Sequence, residues 1–387
     1  MIRETTLAAL QEAQALTGAL VESLSDHDYR HQFHPGLSPL GWHVGHCAYT
    51  ESYWLREVIL SDDRSTAALH DLYVPERIPK PLRGPRLPPL PQLLRWTHDL
   101  QRENLTLLRS PPRAMAQHRL LRNEYLPWFL IQHYSQHFET MQMILAQRSG
   151  QTPPSGKLAP GHFAARTIAA RAVALTKGDY IIGSDGSPAA YDNELPSHRV
   201  TVGPVCMAPR LISNAEYLGF IDADGYRRPE LWSAEGWRWL GEQPLRHPEY
   251  WRASADGGWY GVDGAGYHDL SADAPVCGIS RHEAVAFARW AGARLPHEYE
   301  WETAQRAGIL ADAGAAWEWC ANPFHPYPGF KAFPYEGYST PWFDQDHYTL
   351  RGGSRYTQAP IRRPSFRNFY TPDCRYLFAG LRLAFDG

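Results

Sequence analysis

Apolar residues recur at three- and four-residue intervals through the first 150 positions and lose that rhythm afterwards. Leu7, Leu10, Ala13, Leu16, Leu20 and Leu24 predict a helix over 5–25. A second is predicted over 40–60, with Ser38 as N-cap and Pro39 at the first helical position. A third covers 90–108. The fourth follows an apolar run over 120–146 that contains no glycine and one proline, Pro127. Between the second and third lies a stretch rich in proline (Pro75, Pro79, Pro81, Pro85, Pro88, Pro89, Pro91), which predicts an extended crossover. Four helices with one long connection predict a four-helix bundle.

From Gly150 to Gly161 the periodicity disappears, so a domain boundary is expected there, giving a helical domain over 1–150, a linker over 151–165 and a second domain over 166–387. In the second domain, strands are predicted at Tyr180–Ile182 and His198–Val202, and helices at Asn214–Ile221 and Arg281–Ala291. Most of 222–278 and 307–366 is rich in Gly, Pro and aromatic residues with little period. Such long irregular segments in a compact domain are functional or pinned by side-chain hydrogen bonds.

Composition narrows the classes. A net charge of −3 carries no nucleic-acid footprint, and no run is long and apolar enough for a transmembrane helix, so neither nucleic acid nor membrane is an expected partner. Five scattered cysteines with no C-x-x-C spacing fit thiols in a reducing compartment. The N-terminus lacks the apolar core of a signal peptide, and a cytoplasmic location is expected. The pattern carries no signal for oligomeric state. The residue types in excess are 18 His, 14 Trp and 21 Tyr, a load suited to metal ligation and to pockets for flat or cationic ligands.

Late in the fourth helix, His133 and His137 stand four apart, on one face and about one turn from each other, where two imidazoles can grip one ion. A bundle builds metal sites from facing helices, so the third ligand is expected from His43 or His46 on the second helix. These two are three apart, and a catalytic metal needs open positions, so one of them rather than both is expected to bind. Glu139 lies about 200° around the helix from His137 and does not share the ion.

The second half resembles the formylglycine-generating-enzyme (sulfatase-modifying-factor) fold, an α+β fold akin to C-type lectins. The resemblance rests on Gly178–Ser184, Asn193–His198, Ser213–Tyr217, Arg294–Glu302, Trp317–Trp319 and Arg351–Ser354. The first half, with Gly41-Trp42-His43-Val44-Gly45-His46 and His133-x-x-x-His137-x-Glu139, resembles a DinB-like bundle. Together they resemble the ergothioneine-type sulfoxide synthases, non-haem iron enzymes that use O2 to join a chalcogen to the imidazole of hercynine. That resemblance implies Fe(II) held by His46, His133 and His137, and selects His46 over His43. It also implies Tyr335 as a catalytic proton donor and Gln136, Tyr338, Asn368 and Phe369 as substrate contacts.

Tyr370 and Cys374 depart from the thiol-using members, which place an aspartate and an arginine there to hold γ-glutamylcysteine. Lys80 stands near the position of a third donor-binding arginine. Tyr and Cys do not replace bidentate carboxylate recognition, so that dipeptide is disfavoured as donor. Arg367-Asn368-Phe369-Tyr370-Thr371-Pro372, with Phe378–Arg382 closing the chain, resembles the selenoneine synthase branch, which implies a selenosugar donor, 1-seleno-β-D-glucose. Tyr370 then offers a hydroxyl to the sugar, and Lys80 and Cys374 are possible donor-site residues.

Three other readings remain at this point. One keeps the chemistry and takes cysteine or another thiol as donor. A second is a zinc-dependent DinB-type thiol transferase, since three imidazoles bind zinc equally well. A third is a sugar-binding protein without catalysis.

Overall fold

The computed structural model describes residues 2–151, 160–168, 172–186, 190–243 and 245–386. The chain divides into two compact units, Met1–Arg148 and Ser149–Gly387. Most of the expected linker, 152–159, lies outside the described residues. Among the described residues, no helix is long and apolar enough to cross a membrane.

The first unit is built on α1 (Glu4–Ala19), α2 (Leu40–Ser52), α3 (Leu90–Arg109) and α4 (Tyr125–Gly150). In α2 every residue but Thr50 is buried. A helix covered on all sides reads as weakly amphipathic, and its polar side chains must find partners inside the protein. Glu51 accepts from Gln14 Nε2 of α1 (2.8 Å) and from the Tyr134 hydroxyl of α4 (2.9 Å). Ser52 accepts from Asn104 Nδ2 of α3 (2.9 Å). These bonds tie α2 to each of its three neighbours. Beyond Ser52 the helix continues as a π-helical stretch, Tyr53–Val58.

The structure differs from the expectation in four places. The first helix stops at Ala19 rather than 25, and a short helical turn, Asp26–Arg30, follows with Ser25 as its cap. The proline-rich crossover is not extended. It folds into helical turns at His70–Tyr73, Pro75–Arg77, Lys80–Arg83 and Gly84–Arg86, because prolines at the first positions of a turn are pre-set for it. Ser38 does not cap α2; its Oγ accepts from Arg83 Nη1 at 2.5 Å. The fourth helix starts at Tyr125, after Asn123 and Glu124 take left-handed φ of 52° and 59°. Pro127 therefore falls in the first turn, where its missing N–H leaves no bond unmade.

The second unit mixes short strands and helices. α5 (Asn214–Asp222) and α7 (Arg281–Trp290) match the sequence reading, whereas α6 (Ala234–Gly241) and α8 (Glu298–Arg306) were not visible in the pattern. Trp301 and Ala304 of α8 pack on the sheet formed by Val173–Leu175, Val205–Met207 and Ala384–Asp386. A four-stranded sheet runs in the order Asn368–Tyr370, Tyr348–Arg351, Trp317–Pro323, Ala379–Gly380, antiparallel except for its last pair.

Buried ion pairs lock α8 to that sheet. Glu298 takes both Nε and Nη2 of Arg367 (2.8 and 2.7 Å), and Glu302 takes Arg351; all four side chains are fully buried. Glu318 holds Arg382 through two oxygens in the same way. Arg367 is the residue before Asn368, so the Glu298 pair fixes the edge strand that carries three candidate site residues.

Candidate functional site

In the helical unit, His46, His133 and His137 come together, each offering a ring nitrogen, with the three atoms within 4.8 Å of one another. Two helices do this. His133 and His137 share a face of α4 by their four-residue spacing, and His46 enters from α2. Ring centroids lie 4.4 Å apart for His133–His137, 4.8 Å for His46–His137 and 5.1 Å for His46–His133.

His46 is held on every side. Its Nδ1 donates to the backbone carbonyl of Tyr73 at 2.8 Å, which fixes the tautomer and leaves Nε2 unprotonated, 3.5 Å from the Thr50 hydroxyl. Trp42 stacks on its ring at 4.5 Å and 12°, and the Arg83 guanidinium lies 4.0 Å over Trp42. Arg83 is itself anchored by the carbonyls of Pro75 and Ile78, and Trp42 Nε1 donates to the Leu72 carbonyl (2.7 Å). The proline-rich segment is thus the buttress of His46.

His43, set aside as a ligand in the sequence, has a different place. Its Nδ1 lies 2.8 Å from His137 Nδ1. If His137 ligates through Nε2, its Nδ1–H donates to His43. The remaining proton of His43 then sits on Nε2, which is buried with no partner among the described residues. This contact was missed because only direct ligation was weighed for His43. The signal available was its position one turn before His46.

Burial lowers the basicity of all four imidazoles. His43 is pushed down to about 3 and His46 to about 4, while His133 and His137 fall well below their ordinary value. They are neutral near pH 7 and bind a cation without first losing a proton. His133 Nδ1 is buried without a hydrogen-bond partner among the described residues. A neutral three-imidazole group with a locked tautomer and an orphaned ring nitrogen fits a divalent transition metal. Gln136 lies three residues after His133 on the same helix face and is half-buried, and Glu139 is buried.

The other candidates lie in the second unit, apart from Lys80, which is exposed on its helical turn in the first. Tyr335 is 43% exposed, and Tyr338 stacks on Tyr191 at 4.2 Å. Asn368, Phe369 and Tyr370 form an edge strand, so alternate side chains take opposite faces. Phe369 stacks on Phe324 at 4.3 Å, beside Trp342 at 6.1 Å. Tyr370 lies edge-on to Tyr376 (6.3 Å), whose hydroxyl accepts from the Cys374 thiol at 3.6 Å. Burial pushes that thiol up, so Cys374 stays protonated at neutral pH. Tyr370 and Cys374 thus both neighbour Tyr376.

Comparison with known proteins covers both units. Residues 9–141 match the DinB superfamily, and residues 161–313 and 309–387 match the sulfatase-modifying factor enzyme 1-like domain. Hercynine oxygenase of Mycolicibacterium thermoresistibile is 32% identical, with 97% of this chain and 94% of that protein covered. That of Mycolicibacterium smegmatis is 31% identical with 99% of each covered. Formylglycine-generating enzyme of Mus musculus is 34% identical over 37% of this chain and 43% of that protein. The likeness thus runs through the DinB helices and the sulfatase-modifying-factor domain together, and the chain belongs to the hercynine oxygenase family.

Proposed function

We propose that the chain is an Fe(II)- and O2-dependent enzyme that joins the selenium of a selenosugar to the imidazole carbon of hercynine, giving a selenoxide from which selenoneine would form by elimination of the sugar and a two-electron reduction by a thiol. The full-length likeness to hercynine oxygenases supports the acceptor, and the three-imidazole group supports the metal. The overall reaction balances: imidazole C–H, selenol Se–H and O2 give the C–Se(=O) product and one water. His46, His133 and His137 would hold Fe(II), which when bound supplies O2 activation with positions left for a donor. Gln136, Tyr338, Asn368 and Phe369 would bind and orient hercynine, whose quaternary ammonium favours aromatic faces. Tyr335 would supply a proton from its phenol.

The observation that carries the choice of a neutral donor is the fate of the arginines. Arg363 is held by Glu194, Arg367 by Glu298, and Arg375 by Glu283 and Glu249. Each arginine from 363 to 375 is committed inside the unit, and the groups next to Cys374 are the Thr371 and Tyr376 hydroxyls and the Asp373 carboxylate. A neutral sugar suits hydroxyls beside a carboxylate better than a dicarboxylate does.

A second reading keeps the oxidative chemistry and takes cysteine or another thiol as donor, with Lys80 as the cation for its carboxylate. The DinB match also admits a zinc thiol transferase. Metal analysis combined with O2 uptake in the presence of hercynine and a selenol or thiol donor tests the class. Iron at one per chain with substrate-dependent O2 consumption is the expected result; zinc without O2 consumption overturns it.

A further inference from the structure

We propose that Asp192 is a positioning residue, whose buried carboxylate latches both ends of the loop from Phe333 to Ser339 and so sets where the Tyr335 hydroxyl stands. The proposal rests on the reading of Tyr335 as proton donor.

Asp192 is 1% exposed, and its two oxygens are divided between the two ends of that loop. Oδ2 accepts from the Phe333 backbone N–H at 3.2 Å, and Oδ1 accepts from the Ser339 hydroxyl. Asn193 Nδ2 donates to the same Ser339 oxygen at 3.0 Å, and Ser339 is fully buried. Between these two anchors, Tyr335, Glu336 and Gly337 are exposed, with a single 3-10 turn at Glu336–Tyr338. The loop belongs to none of the described sheets, and within it Tyr338 stacks on Tyr191.

The platform beneath is rigid. Glu194 accepts from the Tyr191 N–H (2.9 Å), from Arg363 Nε (2.8 Å) and from the Ser365 hydroxyl (2.7 Å). The Asn193 carbonyl accepts from Arg367 Nη1 at 2.7 Å. Four consecutive residues, Tyr191 to Glu194, therefore tie the Tyr335 loop to the segment that leads into Asn368. A buried carboxylate that loses one of two donors leaves both oxygen and donor unmatched, so the latch resists opening at either end. A proton donor displaced by about 1 Å loses roughly 100-fold in rate, which gives the latch a catalytic consequence.

The test uses the full chain with D192N, S339A and Y335F, singly and combined. Hydrogen exchange of peptides spanning 333–339 is followed in metal-free protein. Steady-state kinetics are measured on Fe(II)-loaded protein with hercynine, O2 and 1-seleno-β-D-glucose. In D192N, exchange over 333–339 is expected to rise at least about tenfold, and kcat to fall roughly 10- to 100-fold with KM within about twofold. The kcat loss should vanish when D192N is placed on Y335F. Unchanged exchange in D192N overturns the latch, and so does a kcat loss that adds in full to that of Y335F. A Y335F variant with wild-type kcat removes the proton-donor reading instead, and exchange then decides the latch alone. If D192N is recovered unfolded, S339A, which deletes one anchor, carries the same expectations.

Discussion

His46 donates its Nδ1–H to the Tyr73 carbonyl at 2.8 Å, and Gly45 is what allows Tyr73 to lie so close. A Cβ at position 45 would stand 2.2 Å from the Tyr73 hydroxyl and 2.4 Å from its ring. One small residue beside His46 thus sets its tautomer through a neighbour's backbone.

Gly45→Ala is expected to push Tyr73 away and to weaken metal binding roughly 10- to 100-fold, the usual cost of losing a hydrogen bond to a ligating imidazole. Titration against a chelator of known affinity measures this. An unchanged affinity would mean that Tyr73 does not orient His46.

The roles of the four histidines separate by metal content. His46→Ala, His133→Ala and His137→Ala are each expected to abolish stoichiometric metal, measured by elemental analysis after dialysis. His43→Ala is expected to retain the ion at saturation and to bind it more weakly, because it removes only the partner of His137 Nδ1. Loss of all metal in His43→Ala would make it a ligand and contradict the assignment.

Glu51 predicts a pH dependence of stability. Burial between Gln14 and Tyr134 raises its carboxyl to about 7 from an ordinary 4.5. The folded chain keeps this proton across a window in which the unfolded chain has lost it, so stability falls as pH rises from about 4.5 to about 7. The full change is on the order of 3 kcal/mol. Urea unfolding at pH 5 and pH 8 should show Glu51→Gln losing less stability than the parent over that interval. Equal pH slopes in the two proteins would show that Glu51 does not carry it.

How far the sequence reached can be judged from particular residues. The His133/His137 pair and the four long helices were legible because helical spacing and apolar period coincide there. α8 was not, because its inward face mixes the carboxylates of Glu298 and Glu302 with Trp301, Thr303 and Ala304, and charged positions break the hydrophobic period. Only the partners Arg367 and Arg351, 69 and 49 residues further on, make that face a core. The crossover was misjudged for a related reason. Its prolines start helical turns, and the carbonyls of Leu72 and Tyr73, which hold Trp42 and His46, leave no trace in a pattern of side chains. Likewise nothing in the pattern singled out Asp192, whose two oxygens hold Phe333 and Ser339, 141 and 147 residues further on.

The most direct test of the central claim is product analysis by mass spectrometry after incubating the Fe(II)-loaded chain with hercynine and O2, supplying 1-seleno-β-D-glucose, cysteine or γ-glutamylcysteine in turn. A selenium-containing hercynine adduct that forms with selenoglucose, requires O2 and exceeds any thiol product is the predicted result. No selenium adduct, with efficient sulfoxide formation from a thiol, would contradict it.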